Sequence, residues 1–332
     1  MENKEKAAGM RLRVLSGIQP SGILHLGNYF GAMKQFLELQ EKNELFIFIA
    51  NYHAMTTIKD RDILRKNTFD IAAAYMAVGL GTDNVHLFRQ SDIPEVCELS
   101  WILGTLIPIG LLERCHSYKD KVAQGIAADY GLFSYPVLMA ADILIYKSDI
   151  VPVGKDQKQH VEVARDIALK FNNLYGPVLK IPDIRTQEST AVVPGLDGRK
   201  MSKSYDNYIS LFESEKVIKK QVMSIVTDST PLEAPKDPET CNVFALYKLF
   251  GSSQEVEQMA WQYRQGGYGF GQAKKELLAK ILEYFGPARE KYRELQKNPD
   301  QVESVLKRGA RQARELAQQI MQEVRAAVGV SG

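Results

Sequence analysis

Two lysines and two hydroxyls fall within five residues at Lys200-Met201-Ser202-Lys203-Ser204, directly after the turn-rich stretch Pro194-Gly195-Leu196-Asp197-Gly198. On a mobile loop, such a run is a clamp for an anion. Near the other end of the chain, Gln19-Pro20-Ser21-Gly22 leads into Ile23-Leu24-His25-Leu26-Gly27-Asn28. An apolar run at 12–18 precedes this segment, and apolar residues at helical spacing follow from 27 to 39, so it reads as a strand-to-helix turn. A turn of that kind presents free backbone N–H groups and the positive end of a helix dipole to an anion. His25 and Asn28 lie three residues apart, on one face of the helix start, where both can donate to the same phosphate. Gln19, on the lip of the turn, adds a third neutral donor. A lysine-serine run by itself is usually a solvated loop. The pair, one member at the first strand-helix turn and the other behind the last strand of a long α/β segment, points to a nucleotide site.

These residues need a scaffold, and the first two thirds of the chain supply one. Strands are expected at 12–18, 45–50, 85–89 and 150–153, separated by helices such as 62–78 and 158–171. Such alternation implies a parallel sheet covered by helices, with ligands at the carboxyl ends of the strands. His25 and Asp156 both follow strands in that way and can converge. Past Ser210 the strand signal disappears. Helices are expected around 215–226, 242–250, 254–263, 273–284 and 301–327, with a linker marked by Pro231, Pro235 and Pro238. The expected fold is therefore a Rossmann-like, doubly wound α/β domain with a smaller all-helical C-terminal domain. Its parts are a disordered lead-in at 1–10, a catalytic domain at 11–205, a helical domain at 206–295 and a terminal helical segment at 296–332. The glycine-rich 266–271 follows no strand, so it reads as a loop and helix start rather than a dinucleotide fingerprint.

Composition narrows the class. A chain of 332 residues with 45% apolar and 25% charged residues is ordinary for a globular protein and long enough for two cores. No apolar run is long enough to span a bilayer, and 1–10 is too polar for a secretory signal, so a cytoplasmic enzyme without membrane association is expected. Cys97, Cys115 and Cys241 are widely spaced with no close pair, which argues for free thiols over a zinc site. The formal net charge of +2 does not announce a nucleic-acid binder. Locally, Lys307, Arg308, Arg311 and Arg314 gather along the last helix, with Val305, Ala313 and Ile320 as its buried side. That stripe suits phosphate groups but, taken by itself, reads as a solvated helix surface.

The nucleotide-site residues resemble a known pair of motifs. His25-Leu26-Gly27-Asn28 is similar to the HIGH motif of class I aminoacyl-tRNA synthetases, with Asn at its last position, and Lys200 to Ser204 is their KMSKS signature letter for letter. The segment from Val151 to His160 resembles the strand-loop-helix signature of the tryptophanyl enzymes, and Tyr135-Pro136-Val137-Leu138-Met139-Ala140-Ala141-Asp142 resembles their amino-acid-binding helix. The similarity runs from about Val14 to the C-terminus. A tyrosyl enzyme would carry Gln where Met139 stands and Trp-Gly-Asn where Lys158-Gln159-His160 stand. The chain also departs from the commoner tryptophanyl pattern, with His25 where Thr is frequent and Leu15 where an aromatic is common.

The resemblance implies a reaction: ATP, with Mg2+ brought by the nucleotide, activates L-tryptophan as an adenylate, and tRNA(Trp) accepts the acyl group. Neither zinc nor an iron-sulfur cluster is implied, the latter needing four cysteines. In that scheme Lys200 and Lys203 act on the β- and γ-phosphates, joined by Lys121, while Gln19, Pro20, Ser21, His25, Gly27 and Asn28 line the nucleotide. Met201, Ser202 and Ser204 belong to the closing loop. Gly154 lets backbone approach the ribose, and Asp156 accepts from its hydroxyls, although Asp156 would serve equally as a helix cap. Asp142 accepts the indole N–H, Tyr135 and Gln157 hold the α-amino group, and Met139 packs on the ring. His53, with His116 and Ser117, lies near this pocket. Met139 and Tyr135 also suit plain core packing. Asp142 differs, because a carboxylate among burying residues demands a partner, whether ligand, backbone amide or basic side chain. No editing domain is visible, as expected when the cognate side chain is the largest and smaller ones lose its burial energy. A homodimer is implied, and the apolar stretch 101–109 is a candidate for part of its interface, although an ordinary buried helix would look the same. Two other readings stay open: a tyrosine ligase of the same fold, and a non-catalytic synthetase-like regulator.

Overall fold

Continuous apolar runs need cover on both faces, and the sheet is built from them. In the computed structural model, which describes residues 11–81, 83–114, 129–154, 158–186 and 193–331, β1 is Arg13–Ile18, β2 Glu44–Ile49, β3 Val85–Arg89, β4 Ile150–Val153 and β5 Asp183–Thr186. All pairings are parallel in the order β3-β2-β1-β4-β5, with Ser16 beside Ile47 and Ile47 beside Leu87. The two-residue side-chain period sorts the strands between two cores. Val14, Leu45, Ile47 and Ile49 join one apolar cluster, while Leu15, Phe46 and Phe48 join the other. The α/β expectation therefore holds. The fifth strand was not expected. Asp183 and Arg185 are exposed, and the strand is held through backbone pairing with β4, so it carries little hydrophobic signal.

Helix α1 runs through 26–39 with a π turn at Tyr29–Met33. It is followed by the short α2 (Asn51–Ala54) and α3 (Arg61–Ala77), then α4 (Glu95–Gly104), α5 (Ile109–Glu113), α6 (Tyr130–Leu144) and α7 (Lys158–Tyr175). Beyond the sheet come α8 (Glu215–Met223), α9 (Asn242–Tyr247), α10 (Ser253–Gln265), α11 (Phe270–Lys297) and α12 (Pro299–Val328). The expected end of α11 near Tyr284 is overrun: Pro287 lies inside the helix, because Phe285, Arg289 and Leu295 are buried beyond it and packing outweighs the local break. Gly266 and Gly267 have φ of 77° and 76° and precede the start of α11, as a loop and helix start require.

Helix α12 lies along β3, the outer strand, and shields its edge. Contact is so close that a Cβ on Gly309 would collide with the Leu87 carbonyl. Polar ties fix the same face: Arg314 Nε to Glu95 Oε1 at 2.9 Å, Arg325 Nε to Glu98 Oε1 at 2.6 Å, and an Arg89–Glu303 pair. Part of the expected phosphate-binding stripe is thus committed internally, with Arg308 donating to Gly81 O at 3.4 Å and Lys307 facing Glu303 at 3.8 Å. No helix among the described residues is long and apolar enough to cross a membrane.

Candidate active site

Strand order reverses direction at β1 and β4, and the crevice at their carboxyl ends is where an open parallel sheet receives ligands. Four strand ends feed it: β1 leads to 19–28, β2 to α2 with His53, β3 to Gln90, and β4 to Gly154. Gly22, at φ 87°, allows the first of these turns. His25 then pairs with Ser210 as an antiparallel bridge, and Leu26 N donates to Ile209 O at 3.0 Å while Leu211 N donates to Leu24 O at 3.0 Å. Residues just beyond the lysine run are thereby stitched to the helix start, so the two signature segments meet although Asn28 and Lys200 stand 172 positions apart in the chain.

Contacts across that seam are specific. Gly27 N–H lies 3.4 Å from Met201 Sδ, and Lys203 Nζ donates to Ser21 O at 2.7 Å and to Ser21 Oγ at 2.9 Å. Gly27 is close to the His25 ring and Met201, so a larger residue would press on both. Asn28 Oδ1 accepts the His25 backbone N–H at 3.0 Å, which makes Asn28 a cap for the turn. His25 is buried at 5% exposure, and its Nδ1 has no partner among the described residues. Burial, and then the charge of Lys203, lower its pKa to about 4. A neutral imidazole therefore stands beside the clamp near pH 7, able to donate without adding charge.

The clamp owes its shape to a residue that sequence reading missed. Asn207, 3% exposed, donates through Nδ2 to Asp197 Oδ1 at 2.7 Å and Lys200 O at 3.2 Å, while its Oδ1 accepts Ser202 N–H at 2.8 Å. Gly195 is required beside it, since any Cβ there would collide with the Asn207 amide. Met201 N–H donates to Val193 O at 2.9 Å, closing a hairpin around the turn, and Ser202 Oγ accepts Ser204 N–H at 3.2 Å. Lys200 and Ser204 are exposed and Lys203 is half-buried. Nothing local in the sequence marks Asn207 as the hub.

Deeper in the crevice, α6 presents Asp142 at 1% exposure. Its Oδ2 lies 2.9 Å from His53 Nε2 and accepts Gln90 Nε2 at 2.8 Å, while Oδ1 is buried without a partner among the described residues. Burial pushes its pKa up, and the His53 and Gln90 hydrogen bonds pull against that. Of the partners considered for this carboxylate, His53 is the basic side chain that is found. Tyr135 and Met139, both half-buried on α6, flank the same region, and the Tyr135 hydroxyl lies 3.0 Å from His160 Nε2. Gln90 also escaped sequence reading, although its place immediately after β3 was an available signal. A cleft of about 570 Å³ is lined by Tyr52, Met55, Thr56 and Tyr130 among others, and neither His53 nor Asp142 is among its lining residues. Gln19 and Gly154 are exposed at the rim and Pro20 is buried. Lys121, Asp156 and Gln157, with His116 and Ser117, lie outside the described residues.

A helix start and a lysine clamp converging on one crevice of a parallel sheet define a class of protein, and the family model described as tRNA synthetases class I (W and Y) matches residues 7–286. Among relatives, the tryptophan–tRNA ligase of Fusobacterium nucleatum is 54% identical over 321 residues, covering 96% of this chain and 98% of its own length. That of Campylobacter jejuni is 53% identical over 319 residues, covering 96% and 100%. A crystal structure of tryptophanyl-tRNA synthetase from C. jejuni, complexed with ADP and tryptophan, superposes with a TM-score of 0.93 at 53% identity and covers 96% of this chain and 100% of that one. The chain belongs to the tryptophan–tRNA ligase family of class I synthetases. The tyrosine alternative falls away at this level of identity.

Proposed function

We propose that this chain ligates L-tryptophan to tRNA(Trp) using ATP, in two steps at the crevice described above. In the first, a tryptophan carboxylate oxygen attacks the α-phosphorus of ATP, the bond to the bridging oxygen breaks, and pyrophosphate leaves with the electron pair. In the second, a terminal ribose hydroxyl of the tRNA attacks the acyl carbon, the bond from that carbon to the phosphate oxygen breaks, and AMP departs with the electron pair while the hydroxyl proton passes to the departing phosphate or to water. Neither step needs a side-chain nucleophile. Acceleration comes from holding the reactants in line and from donors aimed at charge that develops in the transition state.

Lys203 and Lys200 meet the β- and γ-phosphates as the loop closes, with Lys121 joining them. His25, Asn28, Gln19 and the backbone of 20–27 cradle the nucleotide, the neutral imidazole of His25 acting as a donor. Gly154 and Asp156 receive the ribose, and Gln157 and Tyr135 the α-amino group. Among the described residues no group of three His, Cys, Asp or Glu side chains could hold a metal, so magnesium would be held by the phosphates it arrives with, where it would offset their charge. The observation that carries tryptophan recognition is Asp142, a buried carboxylate held on one oxygen by His53 and Gln90 and offering the other. An indole N–H is a donor of the right kind for it.

The helical unit at 206–295 is assigned to the anticodon and 296–332 to bracing the catalytic domain, in a cytoplasmic homodimer. Trp101 and Ile109, 73% and 67% exposed, support the dimer reading for 101–109. The test of the whole reading is exchange of labelled pyrophosphate into ATP with each of the twenty amino acids in turn. Tryptophan alone should support it. Exchange with none would leave the non-catalytic regulator as the better account.

A further inference from the structure

Gln90 sits 1% exposed between the strand end of β3 and the helix that carries Asp142. Its two amide ends do different things. Oε1 accepts the backbone N–H groups of Tyr52 at 3.0 Å and His53 at 3.3 Å, and Nε2 donates to Asp142 Oδ2 at 2.8 Å. The amide cannot be flipped without facing its NH2 against two backbone donors, so the backbone of α2 dictates that Gln90 offers a donor to Asp142. His53 Nε2 approaches the same oxygen at 2.9 Å. Both protein groups thus meet Oδ2, and Oδ1 stays buried with no partner among the described residues. A carboxylate gripped through one oxygen has its rotation fixed and its other oxygen aimed.

We propose that Gln90 is a positioning residue for amino-acid recognition: by tying Asp142 Oδ2 to the backbone of Tyr52 and His53, it holds the carboxylate with Oδ1 turned toward the indole N–H. The proposal rests on Asp142 being the indole acceptor. A protonated carboxyl still accepts at its carbonyl oxygen, but the ionised form accepts more strongly, and hydrogen bonds to the charged form favour that form. Burial works in the opposite direction and raises the Asp142 pKa, with the His53 and Gln90 hydrogen bonds countering it. Besides His53, the Cys97 thiol and the Tyr146 hydroxyl feel Asp142, their pKa values being raised by burial first and by the Asp142 charge second. Neither supplies positive charge. Without the Gln90 amide the carboxyl would hold its proton to higher pH. Tryptophan affinity is highest above the Asp142 pKa and weakens as pH falls through it, so removing Gln90 should move the midpoint of that weakening upward.

The experiment is calorimetric titration of tryptophan, and of an analogue with sulfur in place of the indole nitrogen, from pH 5 to 8 on wild type, Gln90→Glu and Gln90→Met. Gln90→Glu keeps an acceptor for the Tyr52 and His53 N–H groups and opposes Asp142 with a second carboxyl. Gln90→Met keeps the length and removes both polar ends. Both should weaken tryptophan at pH 7 by about tenfold or more, in line with loss of a hydrogen bond to a charged group. The pH midpoint should rise, ATP affinity should stay unchanged, and the preference for tryptophan over the sulfur analogue should collapse. Weakened binding with the wild-type midpoint and preference would mean that Gln90 is only structural, and unchanged binding would also overturn the proposal. If Gln90→Met does not fold, as thermal melting will show, Gln90→Glu carries the test. Failure of the underlying reading looks different, because wild type itself would then bind the sulfur analogue as tightly as tryptophan.

Discussion

Replacing Lys203 with Met tests the clamp, since it keeps the apolar stem and removes the charge. At rest the ammonium is held by Ser21 O and Oγ at 2.7 and 2.9 Å. Because the side chain is only half-buried, that contact is worth about 1 kcal/mol or less once solvent screening is allowed for. A donor aimed at transition-state charge in a closed site contributes roughly 2.7–4 kcal/mol. Moving from Ser21 to the phosphates forfeits the resting contact, so the net effect on adenylate formation is about 2–3 kcal/mol, on the order of a hundredfold in rate. Tryptophan binding should change less than about twofold, because the hydrogen bonds of Lys203 go to Ser21 and those of Asp142 to His53 and Gln90, with no shared partner among the described residues, and thermal stability should barely move. The assay is pyrophosphate exchange at saturating tryptophan and ATP, with tryptophan affinity measured separately. A rate loss below about threefold, or an equal loss in tryptophan affinity, refutes the argument and makes Lys203 a structural tie to Ser21. The split between rate and binding is decisive because only an interaction made in the transition state lowers the first without the second.

Four further outcomes are expected. Asp142→Ala should weaken tryptophan by about ten- to hundredfold, the effect of removing a charged acceptor worth roughly 1.5–3 kcal/mol, while ATP affinity measured by titration stays constant. His25 has a folded-state pKa of about 4, below the ordinary histidine value, so the unfolded chain binds the extra proton. Its contribution to stability is intact above about pH 6.5 and is lost as pH falls toward 4, by up to about 3 kcal/mol; in His25→Gln, denaturant unfolding at pH 7 and pH 5 should lack that part of the acid sensitivity. Gly309→Ala should lower the melting temperature, since a methyl group has no room against the Leu87 carbonyl and overpacking costs roughly 1–3 kcal/mol. If the chain sediments as the proposed dimer, Trp101→Arg should convert it to monomer at micromolar concentration; a dimer that persists would move the interface away from 101–109, and a wild type that is only monomeric would reject the dimer.

Legibility differed from part to part of this molecule, for physical reasons. The β1 turn, the lysine run and the α/β order were written in local terms: a two-residue or helical period, a strand followed by a polar turn, lysines and hydroxyls at fixed spacing. Such features act within a few residues and survive without a tertiary context. Asp142 was half legible, because its apolar neighbours announced burial and hence a need for partners, but not which ones. That choice belongs to residues far apart in the chain: Gln90 from the end of β3 and His53 from the helix after β2 reach the same oxygen only when the sheet brings their strands side by side. Asn207 became the hub of the clamp through packing against Gly195, and a lone Asn carries no sign of that. The short polar β5 pairs by its backbone, which every sequence has. Charge, period and turn chemistry therefore determined what kinds of group this protein would present, whereas the tertiary fold decided which of them face one another, because burial and hydrogen-bond geometry depend on neighbours in space rather than in sequence.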